Sequence, residues 1–398
     1  MFFIVVIIVM TILHGYVGLR LISPFNPDGY LLIYFWAFIT LLAIIPISGL
    51  ILRSRGIENN LTDALMWIGY TSLGLFTLAF AIFLVRDVGW LFSIIATKTF
   101  SLVQQNDTDR IPVDFERRQF IFMSMNWVIV SATGLLGTVG FMQARQKAEI
   151  INKKIFLDKL PQSLKGLKIV QISDLHVGPT IKADYVQRIV NQINASEPDL
   201  IVFTGDMVDG SVEHLVNDVE PLRQLDAKYG KYFVTGNHEY YSGVDFWLHK
   251  VAELGFTHLK NEHKILSING ESLAIAGVTD LMAHQVRKSH ASNPKQAVYG
   301  IPHEYPTILL AHQPGTVSQI EGLEIDLMIC GHTHGGQYIP FNLAVSKAHP
   351  YVAGLYQHNN TQVYVNRGAG YWGPPMRLGI PPEITVFELI PDSTNDSA

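Results

Sequence analysis

Four long stretches without a charged side chain lie in the first part of this 398-residue chain, and they restrict what it can fold into. They are residues 1–19, 30–52, 64–85 and 119–144. A helix of about 20 residues crosses the roughly 30 Å of bilayer hydrocarbon, so each stretch is long enough to span a membrane. The first has neither a basic start nor a clear small-residue cleavage site, which favours a retained span over a signal peptide. We predict about four transmembrane helices.

Residues 88–97 are also apolar but too short to span, so we expect them to lie at the interface or to extend the third helix. If the N-terminus is inside, each side of the membrane carries six Lys and Arg residues near the span ends, and the positive-inside rule gives no orientation. The spans contain no Asp, Glu, Lys or Arg, which argues against transport. We expect a multi-pass anchor in the cell membrane, with the side of the C-terminal half undecided.

The second half of the chain has a different composition. It is charged and mixed from Arg145 onward, Pro161 interrupts it, and acidic residues outnumber basic ones, so a nucleic-acid partner is not expected. The single cysteine, Cys330, cannot form an internal disulfide. We predict a membrane region at residues 1–145, a linker at 146–160, one folded domain at 161–392 and a tail at 393–398.

Short apolar runs alternate with helix-like segments in this folded domain, a pattern typical of βαβ units. The predicted strands are residues 168–173, 200–204, 232–235, 307–311, 327–330, 363–366 and 383–389. The predicted helices are residues 183–195, 212–225 and 243–254. Asn269-Gly270 indicates a hairpin within residues 264–278, and the late strands favour a mixed sheet or two packed sheets over a simple parallel one.

Side chains that bind metals follow five of these strands, where the carboxyl ends of strands gather ligand groups in open α/β sheets. They are Asp174, His176, Asp206, Asn237, His312, His332 and His334. Asp174 and His176 are separated by one residue, and so are His332 and His334. On an extended backbone, the two members of such a pair point to the same side. Nitrogen and oxygen ligands without a thiolate suit Mn, Fe, Zn, Co or Ni and argue against a structural zinc site.

This ligand set is large enough for two ions. Two ions about 3.5 to 4 Å apart can clamp a phosphoryl group for in-line displacement, and a carboxylate such as Asp206 can bridge them. His238 follows a candidate ligand and could act as a general acid, with Glu239 or Asp209 orienting it or a metal-bound histidine. Asp209 could instead cap the following helix.

The motifs D-x-H, G-D-x-x-D, G-N-H-E, H and G-H-x-H, in this order, resemble those of the calcineurin-like metallophosphoesterases over roughly residues 160–392. The resemblance implies an α/β/β/α sandwich, here preceded by the transmembrane helices, and His238 as the proton donor. It implies one metal ion on Asp174, His176, Asp206 and His334. It implies a second on Asp206, Asn237, His312 and His332.

Two segments look closest to the membrane-associated bacterial branch of that family, which includes UDP-2,3-diacylglucosamine hydrolases and related phosphodiesterases. They are residues 167–176 and 331–337. Glu239 stands where Ser/Thr protein phosphatases have Arg, so a protein phosphatase is not expected.

The glycine-rich loop 366–373 is either a flexible connection or a lid whose Arg367 touches substrate phosphate. The other histidines, His349 among them, are expected at the surface or in packing.

These features together predict a membrane-anchored phosphoesterase with two divalent transition-metal ions (Mn, Zn or Fe). The substrate would be a phosphodiester or pyrophosphate, in a lipid or nucleotide-linked molecule, and the lipid bilayer is the expected partner. The alternative is a membrane sensor or scaffold whose phosphoesterase fold is catalytically silent. The presence of every ligand and of His238 argues against that alternative.

Overall fold

The computed structural model describes residues 2–104 and 115–392, so the predicted tail 393–398 lies outside the described residues. The chain divides into two compact units. One comprises Met1–Ile57 and Leu61–Val139, and the other comprises Glu58–Asn60 and Gly140–Ala398. The last turn of the fourth long helix therefore belongs to the second unit.

Four long helices account for the apolar stretches of the sequence. They are α1 (Phe2–Ile22), α2 (Gly29–Ser54), α3 (Asn60–Gln104) and α4 (Phe115–Arg145), with a 3₁₀ turn at Ser23–Phe25. Each is long and apolar enough to cross a membrane by length and composition. Residues 88–97 extend the third helix, which was one of the two predicted outcomes. The negative charge of Asp87 in this long helix is neutralised by ion pairs of 2.7 Å with both Arg20 and Arg86.

The second unit contains strands and helices in an alternating order. Its strands are β1 (Glu149–Leu157), β2 (Lys168–Ile172), β3 (Leu200–Phe203), β4 (Lys231–Phe233), β5 (Thr257–His258), β6 (Glu262–Ile268), β7 (Glu271–Gly277), β8 (Thr307–Leu310), β9 (Leu327–Cys330), β10 (Gly354–His358), β11 (Thr361–Val365) and β12 (Glu383–Pro391). Its helices are α5 (Ala183–Asn194), α6 (Val212–Val219), α7 (Asn237–Tyr241), α8 (Val244–Glu253), α9 (Ala283–Val286), α10 (Pro294–Val298) and α11 (Phe341–Ala348). The 3₁₀ turns are Gln162–Leu164, Glu220–Gln224, Lys288–His290, Pro314–Gln319 and His334–Gly336.

The strands form two mixed six-stranded sheets, as the late strands of the sequence suggested. The first has the order β1-β12-β2-β3-β4-β5, in which only the β12–β2 pair is antiparallel. The second has the order β10-β11-β9-β8-β7-β6, with antiparallel pairs at its two edges. One of these edge pairs is the predicted hairpin at Asn269-Gly270.

Three apolar layers hold the sheets and helices together. Side chains of both sheets, such as Val202 of β3 and Ile308 of β8, share one buried cluster between the sheets. The opposite face of the first sheet packs against α5, α6 and α8, and Trp247 is its largest fully buried side chain. The opposite face of the second sheet forms a third cluster, which includes Ala297 of α10. This is the predicted α/β/β/α sandwich.

The predicted linker at residues 146–160 is largely a strand, and this part of the prediction is wrong. Strand β1 pairs in parallel with β12 from Glu149 to Leu157. Its charged residues Glu149, Lys153 and Lys154 are mixed with Ile150, Ile151, Ile155 and Phe156, so composition alone does not indicate a strand. Ile155 and Leu157 are fully buried by the sandwich. The segment is a strand because it pairs with β12, more than two hundred residues away, and the local sequence could not indicate that pairing.

Candidate metal centre

The predicted metal-binding residues gather at the carboxyl ends of parallel strands from both sheets. Asp174 and His176 follow β2, Asp206 follows β3, and Asn237 begins α7 after β4. His312 follows β8 in the second sheet. His332 and His334 follow β9 of that sheet. The two sheets therefore contribute ligands to one place.

These side chains form overlapping groups whose ligand atoms lie within 4.8 Å of one another. One group contains Asp174, His176 and His334, a second contains His176, Asp206 and His238, and a third contains Asp206, His312 and His332. The Asp206 carboxylate belongs to both sides of the cluster, because its Oδ2 lies 3.0 Å from Nε2 of His312 and 3.8 Å from Nε2 of His176. The structure thus brings together the residues that the sequence selected, with Asp206 at the centre.

The backbone at this cluster is strained in an unusual way. Five of the seven candidate ligands have a positive φ, between 50° and 72°: Asp174, His176, Asp206, His332 and His334. Residues with a Cβ pay roughly 1–2 kcal/mol to adopt this left-handed region, and such strain concentrates at functional sites. The expectation that Asp174 and His176 share a side on an extended backbone is therefore wrong, since left-handed turns bring them together.

Glycines beside the ligands leave room that a larger residue would fill. A Cβ added to Gly331 would lie 2.2 Å from Oδ2 of Asp174, and one added to Gly236 would lie 2.1 Å from Oδ1 of Asp206. Either contact would push a carboxylate out of place. The glycines of the motifs are thus required by the close approach of the backbone to the ligands.

Asp209 connects His176 and His238. Its Oδ1 lies 3.1 Å from Nδ1 of His176 and 2.5 Å from Nδ1 of His238. The Nε2 atom of His238 faces the cluster, 4.0 Å from Oδ2 of Asp206. Of the two predicted roles for Asp209, the geometry corresponds to orienting histidine rings, and the residue before α6 is Ser211.

Glu239 holds the backbone of the cluster and does not orient His238. Its carboxylate is fully buried and accepts hydrogen bonds from the backbone N–H groups of Asp206 (3.0 Å), Met207 (2.7 Å) and Gly236 (2.6 Å). These bonds join the loop after β3 to the start of α7. They therefore fix the position of Asp206 relative to Asn237.

The loop at residues 366–373 is largely buried, with Trp372 as its exposed residue. Asn366 and Ala369 are fully buried, and Arg367 forms ion pairs with Glu383 (2.5 Å) and Glu149 (3.1 Å). These carboxylates engage the guanidinium that was predicted to touch phosphate. Contact of Arg367 with substrate phosphate stays a prediction, and β1 and β12 supply acidic partners that could not be located from sequence.

A different arginine, Arg377, reaches the cluster. It is fully buried, its Nη2 lies 3.1 Å from Nδ1 of His334, and it donates to the carbonyls of Arg367 and Gly370. Burial lowers its pKa to about 10, so it remains charged at neutral pH. Its sequence neighbours, two prolines and a methionine, carry no signal of this contact.

Three further residues with aromatic rings border the cluster: Tyr241, Trp372 and His349. The rings of Tyr241 and Trp372 lie 5.5 Å and 5.7 Å from that of His238. The ring of His349 lies 5.0 Å from that of His332. Trp372 lies in the glycine-rich loop that the sequence singled out, whereas Tyr241 and His349 have no recognisable spacing.

The charges of the cluster shift the pKa values of its members. Burial lowers the pKa of His332 to about 3, and the charge on His312 acts in the same direction. Burial also lowers the pKa of His238, but Asp209 and Asp206 outweigh it and raise that pKa to about 10. Burial is likewise outweighed at His312, whose pKa is raised well above its usual value by Asp206. The space beside Asp206 therefore favours positive charge.

The residues present fit a pair of metal ions. The Oδ1 atom of Asn237 is buried and has no hydrogen-bond partner among the described residues, although an amide oxygen is a strong acceptor. Ring nitrogens also face one another, with His176 Nε2 3.0 Å from His334 Nε2 and His312 Nε2 3.1 Å from His332 Nδ1. Lone pairs aimed at a common space are typical of metal sites with N and O ligands.

Comparison with known proteins gives the family. A family model described as calcineurin-like phosphoesterase matches residues 167–336. A transmembrane protein with metallophosphoesterase domain from Danio rerio is 38% identical, over 65% of this chain and 61% of that protein. An uncharacterized metallophosphoesterase from Helicobacter pylori is 39% identical, over 63% of this chain and 66% of that protein. The uncharacterized metallophosphoesterase YkuE from Bacillus subtilis is 32% identical, over 70% of this chain and 98% of that protein.

This chain belongs to the calcineurin-like phosphoesterase family. The predicted family and sandwich fold are therefore confirmed, and the clustered His and Asp residues are candidates for the two metal ions on which the family depends. The chain spans about two thirds or less of the first two relatives' length. A solved dimetal phosphatase from Danio rerio aligns at 14% identity and a TM-score of 0.30, over 51% of this chain and 88% of that chain.

Proposed function

We propose that this protein is a membrane-anchored phosphoesterase that uses two divalent transition-metal ions to hydrolyse a phosphodiester or pyrophosphate bond. The observation that carries the proposal is the joint placement of seven N and O ligands and one oriented histidine, His238, at one edge of two sheets. A silent scaffold would not need the strained backbone at five of these ligands, because strain of this kind has a cost and no structural benefit.

The ligands divide between the two proposed ions around Asp206. One ion would be held by Asp174, His176, Asp206 and His334. The other would be held by Asp206, Asn237, His312 and His332. When bound, two such ions supply positive charge and Lewis acidity for in-line displacement at phosphorus.

His238 is the proposed general acid. Its Nδ1 is held by Asp209, and its Nε2 faces the cluster. As water attacks phosphorus and the bond to the leaving oxygen breaks, Nε2–H donates its proton to that oxygen. Asp209 then stabilises the ring in the orientation and charge state that this step requires. Asp209 also orients His176, because it contacts Nδ1 of that ring while Nε2 of the same ring faces Asp206.

The four long apolar helices are the proposed anchor, and the second unit is the proposed catalytic domain. An anchored domain stays close to amphiphilic molecules of the same bilayer, which raises the local concentration of such substrates. We therefore propose a lipid or a lipid-linked nucleotide as the substrate class. Similarity to UDP-2,3-diacylglucosamine hydrolases remains a prediction from two sequence segments.

The first experiment combines metal analysis with hydrolysis of bis-p-nitrophenyl phosphate by the full-length protein, after reconstitution with Mn or Zn. Wild type should retain two ions per chain and turn over the diester. Asp206→Asn should lose metal and activity together, because the proposed bridge serves both ions. Two retained ions and full turnover in this variant would show that Asp206 is not the bridge.

The second experiment separates the general acid from the ligands. His238→Ala should keep its metal but lose turnover by about 10² to 10⁴, the usual scale for a general acid. The loss should be smaller for a nitrophenyl than for an alkyl leaving group, since the former needs little protonation. Equal losses for the two leaving groups would contradict the role of His238.

A further inference from the structure

Large apolar side chains are exposed on the segment that follows the G-H-x-H motif. The exposed fractions are 54% for Ile339, 44% for Phe341 and 62% for Leu343. Helix α11 has no buried residue, so its apolar side chains do not serve the core. Exposed apolar residues are ordinary when single, but three large ones within five residues make this segment apolar in more than one direction, since Phe341 and Leu343 leave α11 on different faces.

This segment borders the candidate metal centre at both of its ends. A Cβ on Gly336 would lie 2.4 Å from Cα of Asn342, so the start of α11 packs on the turn that carries His334. Beyond the end of α11, the ring of His349 lies 5.0 Å from that of His332. Helix α11 therefore runs along one side of the cluster.

Exposed aromatic rings lie beside the proposed general acid. Tyr241 is 67% exposed and Trp372 is 47% exposed, and both rings contact that of His238. The Gln337 side chain accepts from the Trp372 backbone N–H (3.0 Å) and donates to its carbonyl (3.0 Å). Gln337, two positions before Ile339 in the chain, thus holds Trp372 by two hydrogen bonds. We call Ile339, Phe341, Leu343, Tyr241 and Trp372 the apolar rim.

We propose that the apolar rim contacts the hydrocarbon of membrane lipid and receives the acyl chains of an amphiphilic phosphoester. This inference rests on the proposed function, because it specifies the substrate class of the same centre. Lipid is the occupant we choose because the chain carries four helices that are apolar enough to cross a bilayer. The rim also has the composition of an interfacial surface, with Trp, Tyr, Phe and Leu beside the exposed Lys347.

The contact is testable without activity. In the full-length protein, Leu343→Cys is labelled with an environment-sensitive fluorophore, while native Cys330 is fully buried. The matched control is Tyr299→Cys, at a residue that is 82% exposed and outside the rim. Each is reconstituted in phosphatidylcholine vesicles containing spin-labelled phosphatidylcholine. We expect quenching at position 343 to exceed that at 299 by at least about twofold, because a side chain in contact with lipid hydrocarbon lies closer to the spin label.

Equal quenching at the two positions, or none at 343, would overturn the lipid contact. Concentration-dependent cross-linking of Leu343→Cys between two chains would also overturn it, since the occupant would then be a second copy. The same preparations are assayed with bis-p-nitrophenyl phosphate. Hydrolysis without a lipid contact rejects only the rim proposal, whereas a lipid contact in a metal-loaded protein without hydrolysis rejects the proposed function.

Substrate selection provides a second test. The double variant Phe341→Ser/Leu343→Ser is compared with Ile265→Ser, which replaces a 45% exposed residue of β6. The ratio of turnover of phosphatidyl-p-nitrophenol in vesicles to that of bis-p-nitrophenyl phosphate should fall about tenfold in the double variant only. An unchanged ratio would show that acyl chains do not use this surface.

Discussion

At the residue scale, Glu239 shows how a side chain supports the cluster without being a ligand. Its three bonds from backbone N–H groups need a carboxylate that offers only acceptors. Burial, together with the charge of Asp206, raises the pKa of Glu239 to about 7, so its position has an energetic cost that these bonds offset.

We predict that Glu239→Gln destabilises the protein by about 2 kcal/mol and weakens metal retention, because an amide NH₂ would face backbone donors. Thermal unfolding and metal content of the purified full-length protein would measure both effects. The control is Glu213→Gln, at an exposed residue of α6. If the Glu239 variant matched this control, backbone support by Glu239 would be rejected.

His258, on β5 at the edge of the first sheet, gives a pH-dependent prediction. Its Nε2 is buried without a hydrogen-bond partner among the described residues, and burial, with the charges of His290 and Lys260, lowers its pKa to about 4. The unfolded chain binds this proton near pH 6.5, so His258 costs stability as pH falls from about 6.5 to 4, by roughly 3 kcal/mol in total.

Replacing His258 by Phe should therefore flatten the decline of the unfolding temperature between pH 6.5 and 4. Phe233 already lies beside the ring, at a centroid distance of 6.2 Å, so an apolar ring is compatible with the site. His249→Phe, at a side chain that is 81% exposed, should leave the slope as in wild type. Identical slopes in all three proteins would refute the prediction.

At the element scale, the last turn of α4 is part of the second unit. The Gly140 carbonyl accepts from the backbone N–H of Arg377 (2.9 Å), and the Gln143 side chain accepts from that of Gly379 (2.8 Å). Arg377 in turn contacts His334. The helix end thus supports the loop that delivers the buried arginine to the cluster.

A larger residue at Gly140 should disturb this loop. A Cβ there would lie 2.7 Å from Cγ of Met376, and we predict that Gly140→Leu costs about 1–3 kcal/mol of stability and lowers turnover. Gly134→Leu is the matched control in the same helix, because nothing lies within 4 Å of its Cβ. The test is to measure the stability of the two variants by denaturation and their rates of diester hydrolysis. Equal stability and equal rates would contradict the proposal that the end of α4 supports the loop of Arg377.

At the scale of the whole molecule, the proposed catalytic domain begins before the predicted boundary. Ala144 and Ala148 belong to the core of the first sheet, and Arg145 donates to the Thr180 carbonyl at 2.9 Å. The ligands and His238 all lie beyond these residues in the chain. The boundaries of a separable domain are therefore set by packing and not by the end of the apolar stretch.

We predict that a fragment starting at residue 140 folds, binds two ions and hydrolyses bis-p-nitrophenyl phosphate about as fast as the full-length protein. A fragment starting at residue 150 should unfold at a lower temperature, because it lacks the core alanines and the start of β1. Both should act less well than the full-length protein on lipid in vesicles. If the longer fragment were folded and metal-loaded but inactive on the soluble diester, residues before 140 would have to contribute to the active centre.

Most strands and the candidate ligands could be predicted from the sequence, because both depend on local patterns. Strand β9 coincides with its predicted run, and the hairpin at Asn269-Gly270 formed as expected. Strand β1 and helix α11 were missed, since the apolar residues of β1 are mixed with charged ones and those of α11 are not buried. The 3₁₀ turn after α6 likewise ends a helix that periodicity extended to residue 225.

The sequence by itself determined the kinds of groups in this protein: uncharged spans, buried strands, and metal-binding side chains in a fixed order after those strands. These follow from local hydrophobicity, turn chemistry and ligand type. Only the tertiary structure decided which groups meet. Left-handed turns at the ligands, the bonds of Glu239 to the backbone, and the contact of Arg377 with His334 all depend on contacts between residues distant in sequence, and no local pattern encodes such contacts.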